Sequence, residues 1–166
     1  TKLCYQFIEG VMNISKNLPY RKGVGMMVFN NQKKIFVGKR IDNQTAWQMP
    51  QGGVDDNEDH ETAAKRELYE ETGIQSIRII RKSKEEYTYD LPEYLLGKIW
   101  KGKYMGQKQN WFLIKFLGPD SEINLNQKYP EFNQWKWADI DELPRLIVPF
   151  KKKLYLSVIQ EFCKFI

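Results

Sequence analysis

Histidine and cysteine are almost missing from this chain of 166 residues, which holds one histidine, His60, and two cysteines, Cys4 and Cys163. Zinc sites draw on those two residue types, so neither a structural zinc framework nor a histidine-bound catalytic zinc fits. Cys4 and Cys163 lie near opposite ends and match no redox or metal spacing, so they read as reduced bystander thiols. A catalytic base built on histidine would depend on His60 alone, which stands at an expected helix start and reads as a surface residue. No apolar run approaches the ~20 residues of a membrane-spanning helix, and the opening TKLCYQFIEGVMNISKN lacks the basic-then-apolar order of a secretory signal. These absences point to a cytoplasmic protein with no membrane partner. Internal repeats and low-complexity tracts are also missing, which excludes a solenoid.

What is present suits one folded unit. With 42% hydrophobic and 14% aromatic content, the chain can bury one sizeable core, and no composition shift marks a second domain. Met12 stands shortly before the first recognisable segment, so residues 1–17 are expected to be an N-terminal extension without chemistry and residues 18–166 the domain.

Periodicity gives a mixed order of strands and helices. Gly23 to Asn30 and Lys34 to Lys39 are β-rich runs separated by a short polar turn and read as a hairpin. A helix is expected over about 60–72, capped by Asp59 and ended by Gly73. Further strands are expected near Ile77 to Ile80, Tyr87 to Leu91, Asn110 to Gly118 and Phe132 to Ala138, with a short helix or turn near Pro144. Leu154, Val158, Phe162 and Phe165 recur at helical spacing, so the C-terminal segment is expected to pack an amphipathic helix on the sheet. This order implies a mixed sheet covered by helices on both faces, an α/β architecture.

The feature that carries chemistry lies between Gly52 and Ile74. Glu67, Glu70 and Glu71 fall within one helical turn of each other, behind the flexible pair Gly52 and Gly53. Like charges so placed repel by a few tenths of a kcal/mol per pair. A solvated acidic helix is one reading, since glutamate favours helices and Arg66 can pair with Glu70 four residues on. The other is a site for a hard divalent cation: a helical projection sets the three acids beside Ala63, Ala64 and Leu68, with Glu61, Lys65, Tyr69 and Thr72 on the other side. Oxygen-only ligands favour Mg²⁺ or Mn²⁺.

In order, Gly52, Glu58, Arg66, Glu67, Leu68, Glu70, Glu71, Gly73 and Ile74 match a pattern of nine specified positions. The segment resembles the Nudix box, residues 52–74. That resemblance implies an α/β/α sandwich, hydrolysis of phosphoanhydrides in nucleoside diphosphate derivatives, and two or more Mg²⁺ or Mn²⁺ ions. It also implies that Glu58 pairs with Arg66. Further segments resemble a bacterial subgroup of RNA pyrophosphohydrolases and dinucleoside polyphosphate hydrolases, including invasion-associated types: LPYRKGVGMMVFN, AWQMPQGG, YDLP, GQKQNWF, PEFNQWKW and VPFKKKLY. One departure is Asp55-Asp56-Asn57, where relatives often carry proline and glycine.

The same resemblance implies roles residue by residue. Glu67, Glu70, Glu71 and Glu131, with Gly52, match the metal site, and Arg66 joins them in the catalytic set. Arg21, Arg40, Tyr89 and Lys108 match positions around phosphates or nucleotide, while Val148, Phe150 and Lys151 flank the base. From the residues alone, Glu131 beside Pro130 is ordinarily solvent-facing, Phe150 fits the apolar core, and the four phosphate candidates read equally as surface groups. Trp47, Trp111, Trp135 and Trp137 are expected in the sheet core or hairpins, without chemistry. The net charge of +5 survives an acidic helix, so basic residues must gather elsewhere; they serve as solubility devices or as contacts to a polyphosphate or RNA. RNA 5′ ends are the first expected substrate and dinucleoside polyphosphates the second, while a binding module without turnover forms a different class.

Overall fold

The computed structural model describes residues 17–166. The expected extension, apart from Asn17, and Cys4 lie outside the described residues. Among the described residues eight strands form one mixed sheet: β1 (Tyr20–Phe29), β2 (Ile35–Arg40), β3 (Trp47–Gln48), β4 (Gln51–Gly53), β5 (Ile77–Lys82), β6 (Tyr87–Asp90), β7 (Gly106–Phe116) and β8 (Phe132–Ala138). Three α-helices accompany them among the described residues: α1 (His60–Thr72), α2 (Leu143–Leu146) and α3 (Lys152–Phe162). The sheet's spine is the parallel pairing of β1 with β7, from Tyr20 beside Gly106 to Phe29 beside Lys115.

Period-two alternation along these strands divides the core in two. Val24, Met26 and Val28 of β1 meet Phe112 and Ile114 of β7 on the face covered by Ala63, Ala64 and Leu68 of α1. Met27, Trp111 and Leu113 face the other way, against Leu154, Val158 and Phe162 of α3. Full burial of each such side chain contributes about 1.5–3 kcal/mol, which is why the apolar stripe of α3 docks as its sequence spacing requires. Phe165, expected in that helix, follows it in a 3₁₀ turn.

Helix α1 spans the residues expected. Asp59 caps it by accepting from the Thr62 amide at 2.8 Å, and Gly73 ends it at φ 74°, where its N–H donates to the Tyr69 carbonyl at 2.8 Å. Two details differ from the helical projection. Thr72 is fully buried, because its hydroxyl bonds back to the Leu68 carbonyl at 2.6 Å, and Glu70 is exposed rather than drawn to the core. The expected β1–β2 hairpin is a narrow one, paired only at Phe29 and Ile35. β1 instead pairs with β4 and β7, while β2 pairs with β3 and β8. Local turn chemistry brought the two strands together, and long-range pairing drew their far ends apart. β7 also begins earlier than expected, at Gly106, because Gly106 to Gln109 pair with β6.

Tyr155 links the second layer to the glycine-rich strand. Its fully buried hydroxyl accepts from the Met49 amide at 2.7 Å, tying α3 to the chain that leads into Gln51 and Gly52.

Candidate active site

Strand β4 and helix α1 meet where Gly52 leaves room for a side chain. A Cβ built on Gly52 would stand 2.0 Å from Glu67 Cδ, and one on Gly53 would stand 2.3 Å from an Arg21 guanidinium nitrogen. The two glycines therefore admit a carboxylate and a guanidinium where any larger residue would exclude them. The Gly53 N–H donates to Glu67 Oε1 at 3.2 Å.

Arg66 organises this corner. Its Nε and Nη2 donate to the two Glu58 oxygens at 2.8 and 2.9 Å, Nη2 also reaches the Gly53 carbonyl at 2.9 Å, and Nη1 donates to Glu67 at 3.1 Å and Glu70 at 3.2 Å. The bidentate Glu58 pair fixes the guanidinium as a bracket between the glycine-rich strand and α1. Arg66 and the Asp55 amide hold the Glu58 carboxyl down to about 2. In the unfolded chain it returns to an ordinary value near 4.5, so the stability it adds is fully present above that pH and is lost as pH falls through 2. The unfolding free energies of the wild type and of Glu58→Gln, followed by urea denaturation, should accordingly converge as pH drops from about 4.5 to 2; a gap unchanged over that range would deny the pair its role. The nearby departure from the family pattern is accommodated: Asn57 sits at φ 64°, a left-handed position that asparagine tolerates better than most residues.

Glu71 is in a different state. It is 3% exposed, yet neither carboxylate oxygen has a hydrogen-bond partner among the described residues. Burial raises its pKa well above the ordinary range, and the charges of Glu131 and Glu67 raise it further, against a smaller opposing pull from the nearby Gln51 backbone and Arg40. Burial likewise raises Glu67, partly offset by Arg66, and raises Glu131, partly offset by Arg40. The three carboxylates thus share one field although Glu131 comes from the loop before β8 and has an exposed side chain. Glu70 stays in solvent, held by Arg66.

These residues fit a hard divalent cation. An orphaned, buried carboxylate beside two others demands positive charge, and only oxygen donors are offered. No set of three such side chains among the described residues already closes around one point. Glu67, Glu71 and Glu131, with the Gly52 carbonyl, are the groups that would hold the ion, and Glu70 stands at their edge.

Facing the acids is a cationic and aromatic wall. Arg40 is bound by both oxygens of Asp42 and reaches Gln48 Oε1 at 3.4 Å. Arg21 lies over the Trp100 ring at 5.3 Å. Lys151 is buried, donates to Gln51 Oε1 at 3.3 Å, and sits 4.9 Å from the Tyr89 ring centre and 5.8 Å from that of Phe150. Burial, reinforced by Arg40, lowers its pKa to about 7, while Glu71 and Glu131 act in the opposite sense. Phe150 is half-buried and packs 5.9 Å from Tyr89, and Val148 is half-buried beside it. Lys108 alone among the expected phosphate contacts is not brought here. It projects to the opposite face of β7 from Gln107 and Gln109, is exposed, and pairs with Glu86 at 3.1 Å.

Sequence reasoning passed over a buried amide ladder. The Trp111 indole N–H donates to Gln109 Oε1 at 3.0 Å, so the Gln109 amide nitrogen faces Gln107 Oε1 at 2.8 Å and Gln51 Oε1 at 3.2 Å. The Tyr89 hydroxyl donates to Gln107 Oε1 at 3.2 Å, and the Gln107 amide nitrogen reaches the Gly52 carbonyl at 3.5 Å. Because an indole is only a donor, it sets the orientation of each amide in turn. The available signal was the i, i+2 spacing of Gln107, Gln109 and Trp111, which puts all three on one strand face.

The geometry agrees with comparison to known proteins. The family model described as "NUDIX domain" matches residues 19–158. A protein of Sphingopyxis alaskensis named RNA pyrophosphohydrolase is 53% identical over 148 residues, covering 87% of this chain and 94% of that protein. One of the same name from Rickettsia conorii is 54% identical over 147 residues, covering 88% and 91%. Among solved structures, a C. elegans Ap4A hydrolase binary complex superposes with a TM-score of 0.66 at 23% identity, covering 87% of this chain and 96% of that one. The E. coli dihydroneopterin triphosphate pyrophosphohydrolase does so with a TM-score of 0.65 at 18% identity, covering 84% and 96%. At those identities the superpositions speak for the fold alone. The matched family model spans both the two-layered core and the Gly52–Ile74 corner that the bracket of Arg66 holds together, and the chain belongs to the Nudix family.

Proposed function

We propose that this protein removes pyrophosphate from the 5′-triphosphate end of RNA, or phosphate from a diphosphate end, leaving a 5′-monophosphate. The chemistry rests on one observation: Glu71 is buried with two unpartnered oxygens beside Glu67 and Glu131. The choice of substrate is supported by relatives of that name at 53–54% identity over most of the chain. An RNA substrate would place the protein in the cytoplasm. The Nudix domain on this reading runs from residue 18 to 166, of which the family model covers 19–158.

Two or more Mg²⁺ or Mn²⁺ ions, when bound, would neutralise phosphate oxygens and make water acidic enough to attack. Glu67 and Glu71 would hold that positive charge at the floor, and Arg66 keeps Glu67 and Glu70 in place. A glutamate at the edge of the set that is not itself bound to the ion, Glu70 in solvent or Glu131 at the open rim, receives the proton of the attacking water. Arg21, Arg40 and Lys151 line the side where phosphates collect, and Arg40 is already oriented by Asp42. Phe150, backed by Tyr89 and flanked by Val148, offers a half-buried ring for a base to stack on. Lys108 takes part only if an RNA crosses to the other face of β7.

The experiment is direct. Wild-type protein with Mg²⁺ should release pyrophosphate from a 5′-triphosphorylated oligoribonucleotide faster than it cleaves diadenosine tetraphosphate at equal concentration. Turnover confined to the dinucleotide would replace RNA with dinucleoside polyphosphates. Retention of RNA with no metal uptake by calorimetry would make the protein a binding module.

A further inference from the structure

A second cationic feature lies away from the acids, on the face of the sheet that α3 covers and at the end of that helix far from Lys151. A cavity of about 240 Å³ is lined by Phe29, Lys33, Arg78, Ile80, Lys115 and Phe165, among others, and by no acidic side chain. None of its three cations joins an ion pair among the described residues. Arg78 and Lys115 stand directly opposite each other in the antiparallel β5–β7 pair. Like charges so placed destabilise a sheet, so the fold tolerates a cost that an anion would remove. Phe165 adds an aromatic ring to the pocket wall, one face of which carries the Arg81 guanidinium at 3.8 Å, with Lys164 5.2 Å from its centre.

We propose that this pocket, with Lys33, Arg78 and Lys115 on its rim and Phe165 in its wall, binds the body of a single-stranded RNA whose 5′ end occupies the acidic cleft. The inference rests on the RNA reading above. Unpaired cations beside an aromatic ring are the combination that single strands use, with phosphates on the charges and bases against the ring. An acidic protein segment would satisfy the cations but make no use of the ring. Gln107 in the cleft and Lys115 at the pocket share one strand face eight residues apart, about 26 Å at roughly 3.3 Å per residue. A di- or trinucleotide would therefore fill the cleft alone, and only a longer RNA would reach the pocket.

The test uses Arg78→Gln/Lys115→Gln, two changes at the pocket rim and outside the cleft, with folding checked by thermal melting. Fluorescence anisotropy with a 5′-hydroxyl RNA of about 20 nucleotides should show roughly ten-fold weaker binding at low salt, with the slope of log K against log salt reduced by about 1.4 for two lost contacts. Both kcat and KM for a triphosphorylated dinucleotide should be unchanged. Unaltered affinity for the long RNA overturns the proposal, as does an equal loss on the dinucleotide. So does polyglutamate of matched charge that binds the wild type as tightly as RNA and is weakened as much, since that would assign the surface to an acidic protein. Because the anisotropy probe carries no triphosphate, failure of the hydrolysis reading shows separately, as absence of pyrophosphate release by the wild type.

Discussion

Glu71→Gln is expected to lower Mg²⁺-dependent release of pyrophosphate by about a hundred- to a thousand-fold, the usual effect of removing one preorganised electrostatic group from an active site. The same change should leave the metal-free protein at least as stable as the wild type, with the advantage growing toward alkaline pH. The sign follows from the side chain's surroundings. Its oxygens have no partner and its pKa is raised, so the folded chain holds that proton more tightly than the unfolded chain does. Stability tied to it is full below the unfolded value near 4.5 and declines as pH rises through the folded value. Glutamine keeps the shape and removes the charge, so it escapes that decline. A structural carboxylate would behave in the opposite way. Thermal melts with and without Mg²⁺ complete the measurement: the wild type should gain stability from the ion and the variant little of it. A variant that turns over normally would remove Glu71 from the chemistry, and one that unfolds in metal-free buffer would make it a structural group.

The second large effect separates activity from stability at a neighbouring position. Gly52→Ala should reduce turnover about a hundred-fold while changing the unfolding free energy by less than about 1 kcal/mol. The added Cβ would meet Glu67 at Cδ, Oε2 and Cγ, within 2.3 Å, all in the flexible outer part of that side chain. Glu67 can swing away at little cost to the fold, but it then leaves the place in which the Gly53 amide and Arg66 hold it. A displacement near 1 Å is enough to cost two orders of magnitude in rate. Steady-state kinetics beside urea denaturation will show it; a parallel loss of both quantities would mean that Gly52 serves the backbone rather than the carboxylate.

Much of the corner around Glu67 was legible in the chain because its instructions are local. Asp59 and Gly73 bound a helix through contacts three or four residues away, and glutamates within a turn must share a side of it. The mixed sheet between helices also followed, since strand alternation and the Leu154, Val158 and Phe162 stripe each name a buried face. The pairing of β2 was not legible. A short turn predicts that two strands begin together, but it says nothing of β4 taking Gly23 to Gly25 of β1, or of β8 pairing along β2. Burial of single side chains was similarly hidden. Lys151 in VPFKKKLY looks like any lysine of a basic run, and only the packing of Tyr89, Phe150 and Gln51 around it lowers its pKa to about 7.

By itself the sequence determined the helix with its caps, the two-sided core and the family pattern, because each depends on spacing within a few turns or on alternation along one strand; the bracket of Glu58 and Arg66 followed only from the family resemblance. Only the tertiary structure decided that Glu71 rather than Glu70 is the buried carboxylate, that Glu131 shares its field from some sixty residues on, and that Lys108 faces away. Desolvation and charge coupling depend on which atoms surround a group in space, and those neighbours arrive from strands and loops that no local pattern relates.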